Sequence, residues 1–329
     1  RKLLNGLGEI VQKYENLHVQ SHAVESLDCL STVEMLHPSE NEVDILNESG
    51  LLTNHSVMAH CVHINEEQAN TFLTSGTSIA HCPLSNFYFA GGCLRTSSLL
   101  KRKLKVGLGT DIAGGYSCQM LNSIRHCVTT HLAIAAADSN NKGVKSNGIA
   151  PGFGDVVQRD DFNYKDALWL ATVGGAKALN ISDTVGHFEC GLNFDACLIN
   201  LKDFFYEGVG EDKLTTFEKF IHLGDDRHFE KVWVAGNCVV NKGVVVAKGK
   251  ATVPKYLPPL LVGNSNDPTN NMKLSVIDLS TVIDGSGPNG TVSELETATL
   301  LNTACRTDGF FYLKNHGIDS KLIEKTFEM

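Results

Sequence analysis

Four side chains able to bind a metal or move protons close successive strand-like runs: His22, His60, His81 and Asp111. The runs are Leu17–His22, Ser56–His60, Ser78–His81 and Val106–Asp111. Imidazole nitrogen together with carboxylate oxygen suits Zn²⁺ or Fe²⁺ better than a thiolate-preferring metal. Glu25, three residues after His22, could shuttle protons beside a metal-bound water. Taken singly, each histidine reads more readily as a hydrogen-bonded structural residue than as a ligand, and Glu25 as a first-turn acid favoured by a helix dipole. Four in succession at strand ends point to a site.

The segments between these runs are helical in pattern. Asn65 is placed to cap a helix with Glu66, Glu67 and Gln68 in its first turn, and helical stretches follow near Leu94–Lys103 and Met120–Ala137. Strands alternating with helices imply an α/β fold with a parallel sheet. In a (β/α)8 barrel the carboxyl ends of all strands meet on one face, so residues far apart in sequence become neighbours there. The glycine-rich stretch Asn140–Gly154 reads as a surface loop.

The 329 residues are 42% apolar and 20% charged, an ordinary globular composition long enough for about two domains. Twenty-eight basic against 37 acidic residues give −9, which argues against nucleic acid or an anionic membrane as a partner. No apolar run approaches the roughly 20 residues of a membrane span. The ten cysteines form no CxxC pair and read as reduced thiols in a cytosolic setting. Cys61, Cys82 and Cys197, within apolar runs, read as small hydrophobes. Pro254, Pro258, Pro259 and Pro268, four of eight prolines, mark a linker. The expected division is 1–183 for an α/β region, 184–250 for a strand-rich region, 251–272 for the linker and 273–329 for a terminal module.

Gln20–Glu25, Met58–Cys61, Ile79–Asn86 and the run Gly107–Ser117 closely resemble the guanine deaminases of the amidohydrolase superfamily. The resemblance continues through Ala171–Leu179, Asp195–Asn200, Leu223–Arg227 and Val232–Gly236, covering roughly residues 1 to 245. It implies that the four strands are strands 5–8 of a (β/α)8 barrel. Residues from Thr184 to Gly243 would then be the remnant of a small β-sandwich, with Ala196–Asn200 pairing Val232–Val240. The resemblance also implies roles. His22 and Asp111 would bind Zn²⁺, with His60 as a possible third ligand, and Asp111 would help activate water. Glu25 would relay protons, His60 would orient the attacking water, and His81, Ser85 and Asn86 would line the substrate pocket. The reaction would be hydrolytic deamination of guanine to xanthine, carried out by a cytosolic enzyme that is a homodimer in the full-length family.

Family members also carry an HxH pair on the first barrel strand, and this sequence contains none. The expectation is therefore a chain that starts in the helix before the fifth strand, binds zinc poorly by itself and has little or no deaminase activity. Two other readings stand beside this one: a deaminase of a different amino-heterocycle, and a non-catalytic fragment.

Leu274–Ser280 reads as a strand, Glu294–Thr307 as a helix and Gly309–Ile318 as a second strand. This short α+β module resembles the amino-terminal region of the 2-oxoglutarate and Fe(II)-dependent dioxygenases, the isopenicillin N synthase-like group. Their His-x-Asp…His iron triad has no counterpart here, and His316 reads as a structural turn residue. A dioxygenase fragment is the weakest functional alternative. The junction reads as a fused gene, a misjoined gene or a natural bifunctional chain.

Overall fold

In the computed structural model the described residues are 1–14, 16–140, 155–201, 212–246, 275–278, 300 and 311–314. The chain divides into two compact units, Arg1–Pro258 and Pro259–Met329.

The first unit opens with helix α1 (Lys2–Lys13) and then builds a four-stranded sheet in the order β1 (Val19–Ala23), β2 (Ser56–His60), β3 (Ser78–His81) and β4 (Lys105–Leu108). Every neighbouring pair is parallel, with His22 opposite Ala59, Met58 opposite Ile79 and Ile79 opposite Val106. The expected strands at 56–60 and 78–81 are found with those bounds. The fourth stops at Leu108, so Asp111 lies on the turn beyond the strand.

Parallel strands need crossovers, and here the crossovers are helices that cover the sheet. Between β1 and β2 run α2 (Leu27–Leu36), capped by the Ser26 hydroxyl, and α3 (Glu42–Glu48), capped by Asn41. Helix α4 (Glu66–Ser75) starts with the expected Asn65 cap in a reciprocal box with Gln68 and stops at Gly76, whose φ of 76° a Cβ would oppose. Helices α5 (Pro83–Tyr88) and α6 (Thr96–Lys101) join β3 to β4. The long α7 (Met120–Asn140) follows, then α8 (Tyr164–Trp169), a π-helical turn at Leu170–Gly174, and α9 (Gly175–Ala178). Gly107 admits α9 against β4: a Cβ there would stand 2.9 Å from Gly175 Cα. Met58, Phe72, Ile79, Leu99 and Leu170 are fully buried in the resulting core.

The same unit holds a second, antiparallel sheet of β5 (Ala196–Ile199), β6 (Phe229–Val234), β7 (Asn237–Asn241) and β8 (Val244–Val245). Helix α10 (Lys213–Leu223) lies between β5 and β6 in sequence, and its Phe220 ring meets Phe229 edge-on at 5.9 Å. The expected pairing of Ala196–Asn200 with Val232–Val240 needs correction, because the second segment is not one strand. Ala235 and Gly236, at φ 48° and 78°, fold it into a hairpin. The Ala235 N–H donates to Asp195 Oδ1 at 2.6 Å, which helps hold an alanine in that left-handed position. Cys197 is also corrected: it lies on the exposed face of β5, unlike the buried Cys61 and Cys82.

The nine described cysteines are all free thiols. No described helix is long and apolar enough to cross a membrane.

In the second unit, β9 (Ser275–Asp278) and β10 (Phe311–Lys314) pair in parallel, in register from Ser275 with Phe311 to Asp278 with Lys314. Asn140, expected in a loop, instead ends α7, while the rest of that loop to 154, the linker, His316 and most of the helix expected at 294–307 fall outside the described residues.

Candidate active site

The sheet brings the expected residues to one end. His22 is the penultimate residue of β1, His60 and His81 end β2 and β3, and Asp111 follows β4. The backbone turns sharply beyond three of these strands. Val24, His60, Cys61 and Asp111 take φ values of 44°, 69°, 52° and 47°, a left-handed region that non-glycine residues occupy only when their surroundings hold them there.

His60 is the hub. Its ring stacks on that of His22, with centroids 5.1 Å apart and planes inclined by 26°. Nε2 lies 3.6 Å from Glu25 Oε1 and 4.0 Å from Asp111 Oδ2. Both separations exceed a direct hydrogen bond and suit a bridging water or substrate atom. Nδ1 is 2.9 Å from Asn86 Oδ1, an acceptor, so the proton on that side belongs to the imidazole. The other ring nitrogen, Nε2, therefore faces the two carboxylates. The amide nitrogen of Asn86 lies 3.3 Å from His81 Nδ1 and donates to it. Burial pushes the His81 imidazole down to about 3, with His60 nearby adding to the effect, so His81 is neutral and able to accept.

The three residues expected to line the substrate pocket differ in their availability. Asn86 is wholly buried, with both ends of its amide engaged by the two imidazoles. Ser85 is wholly buried too, and its hydroxyl has no hydrogen-bond partner among the described residues. A Cβ at Gly114 would meet Asp111 Oδ2 at 2.6 Å and Ser85 Oγ at 2.8 Å. The lack of a side chain at Gly114 thus keeps the carboxylate and the free hydroxyl open to one another. The Asp111 turn is braced from below, where Gly115 N–H donates to the Asp111 carbonyl and Ser123 of α7 donates to the Gly109 carbonyl at 3.1 Å.

Glu42 was not singled out in the sequence. Its Oε2 accepts from Val24 N–H at 2.7 Å, and burial pushes its carboxyl up, offset by that hydrogen bond and by the nearby His22. Its sequence signal, an acid in the first turn of a helix, belongs to many surface helices and carries no mark of a site.

The donor types at the strand ends suit Zn²⁺. Among the described residues no group of three or more His, Cys, Asp or Glu side chains is arranged to hold a metal ion.

A parallel α/β sheet presenting imidazoles and carboxylates beyond its strand ends places the candidate chemistry in the loops that follow the strands. The chain belongs to the amidohydrolase family, whose profile matches residues 2–239. Residues 274–329 match a second family, described as non-haem dioxygenase in morphine synthesis N-terminal. Guanine deaminase of Mus musculus is 39% identical over 246 residues, which are 72% of this chain and 50% of that protein. Among solved structures, a guanine deaminase from C. acetobutylicum with guanine in its active site is 32% identical. It superposes with a TM-score of 0.60 over 72% of this chain and 51% of its own. An adenosine deaminase from Xanthomonas campestris with bound zinc shares the fold at 18% identity, with a TM-score of 0.62 over 75% and 50% of the two chains. The chain spans about half the length of the relatives it matches.

Proposed function

We propose that this site serves the hydrolytic deamination of guanine to xanthine and ammonia, and that β1 to β4 correspond to strands 5–8 of a (β/α)8 barrel. The observation that carries the reading is the meeting of Glu25, His60 and Asp111 around one small space, with the unpartnered Ser85 hydroxyl beside it. The similarity to guanine deaminases supports the choice of substrate.

Deamination needs a water oxygen added at the amino-bearing carbon, a proton delivered to the ring nitrogen and a second proton delivered to the leaving amine. Glu25 can take the first proton from water and return it, switching from base to acid. His60, with Nδ1–H fixed on Asn86, points Nε2 at that water and orients it. Asp111 assists in withdrawing the proton, and Ser85 and His81 offer polar contacts to a purine edge. The atoms balance as guanine plus water giving xanthine plus ammonia.

His22, His60 and Asp111 would hold Zn²⁺, which when bound lowers the pKa of water toward neutrality. With these three donors and no HxH pair in its sequence, the 329-residue protein is taken to hold zinc weakly and to turn guanine over slowly. The reading further takes residues 1–183 as barrel, 184–250 as barrel end and β-sandwich, 251–272 as linker and 273–329 as a dioxygenase-like module. It places the protein in the cytosol and takes full-length relatives as homodimers.

The test is ammonia release from guanine, adenine and cytosine by the purified chain under excess Zn²⁺, with zinc binding measured by calorimetry. Weak zinc binding with slow release from guanine above the other two supports the reading. Equal or faster release from adenine or cytosine favours a different deaminase, and no release from any base favours a non-catalytic role. One tightly held zinc with fast guanine turnover would overturn the proposed weakness of the chain alone.

A further inference from the structure

One carboxylate beneath the site has no task in the deamination scheme. Glu42 opens α3, where a first-turn acid is favoured by the helix dipole. That helix already has its cap, because Asn41 Oδ1 accepts from Asp44 N–H at 3.0 Å. The Glu42 carboxylate reaches instead to a backbone amide eighteen residues upstream, accepting from Val24 N–H at 2.7 Å. A helix-starting acid with a purely local role would not do this.

Val24 is fully buried, and its φ of 44° lies where a β-branched side chain crowds the adjacent carbonyl. Such a conformation persists only when neighbouring groups hold it. The Val24 carbonyl accepts from His63 N–H at 2.9 Å, and the Ala23 carbonyl from Cys61 N–H at 3.1 Å. Both of those restraints act on carbonyls. Glu42 supplies the restraint on the N–H, and a charged acceptor makes it one of the stronger hydrogen bonds available. The turn so fixed ends β1 and brings Glu25, the next residue, to 3.6 Å from His60 Nε2.

We propose that Glu42 is a positioning residue, whose carboxylate holds Val24 in its left-handed conformation and thereby aims Glu25 at His60. The functional meaning rests on the reading of Glu25 as proton relay; the structural claim does not depend on turnover.

The full chain, isotope-labelled, is compared by NMR with Glu42→Leu, Glu42→Gln and Glu25→Gln. In Glu42→Leu the Val24 amide should exchange with solvent about tenfold faster or more, while the Met58 amide keeps its native protection. The His60 imidazole resonance should move to where Glu25→Gln places it. Glu42→Gln keeps an acceptor oxygen and should leave the His60 resonance native. Unchanged Val24 exchange in Glu42→Leu would overturn the proposal. So would an unmoved His60 signal, or equal loss of protection at Met58. Should Glu42→Leu fail to fold, Glu42→Gln decides: its Val24 amide proton must shift on losing a charged acceptor, and an unmoved one contradicts the proposal. Absence of guanine turnover in the native chain would count against the deamination reading alone and leave these readouts intact.

Discussion

The first unit contains two four-stranded sheets built on opposite terms. In the parallel sheet, β2 is buried at every residue, because helices cover it. In the antiparallel sheet, β6 is half-buried throughout, and β5 and β7 each expose several side chains. The parallel sheet gets its register from core contacts reaching across the chain, and it carries the candidate site at its strand ends. The antiparallel sheet gets its register from short turns such as Ala235–Gly236, and none of the expected catalytic, substrate-binding or metal residues lies on it. Burial thus coincides with the site: left-handed Val24 and His60 are fully buried, whereas left-handed Ala235 in the antiparallel sheet is half-exposed and donates its N–H to Asp195.

If that contrast is right, equal insults should have unequal effects. Met58→Ala in β2 removes a fully buried side chain and should cost about 2–5 kcal/mol in denaturant unfolding. Leu198→Ala in β5 trims a side chain 44% exposed and should stay within about 0.5 kcal/mol. Similar losses at both positions would erase the distinction. Glycines offer a second pair. Gly107→Ala drives a Cβ to 2.9 Å from Gly175 Cα and should cost about 1–3 kcal/mol through displacement of α9. Gly236→Ala meets no atom within 4 Å and should lose only the roughly 1 kcal/mol of its left-handed φ.

Acid should sharpen the comparison further. Burial lowers the His131 imidazole below its ordinary 6.5 on α7, so the unfolded chain takes up its proton first. Its contribution to stability is complete above about pH 6.5 and is lost as pH falls. Near the antiparallel sheet, the Asp225 carboxyl is held down to about 2 by Arg227, against an ordinary 3.8. Its contribution is complete above about pH 4 and fades only toward pH 2. Unfolding followed against pH should lose the first component in His131→Gln and the second in Asp225→Asn, with the His131 effect starting at the higher pH.

The same contrast governs what could be read in the sequence. Strands 56–60 and 78–81 were legible to the residue, because each is a short apolar run ending in histidine. The Asn65 cap was legible because its chemistry is local. Val232–Val240 misled because alanine is a poor marker of a left-handed turn, and the turn depends on Asp195, forty residues away. The run Val106–Asp111 extends three residues past its strand, because the apolar pattern gives way at Gly109 while the chemistry lies beyond it at Asp111. Glu42 is hidden in the sequence for the same reason as the hairpin: its partner, Val24, is distant in sequence and is a backbone group, which leaves no trace in residue type.

The central claim is that Glu25, held against His60, moves the protons of a guanine deamination. The most direct measurement is ammonia release from guanine by the native chain and by Glu25→Gln at saturating Zn²⁺. The native chain should show slow, guanine-dependent release, and Glu25→Gln should lower it by about a hundredfold or more. Equal rates in the two proteins would contradict the account.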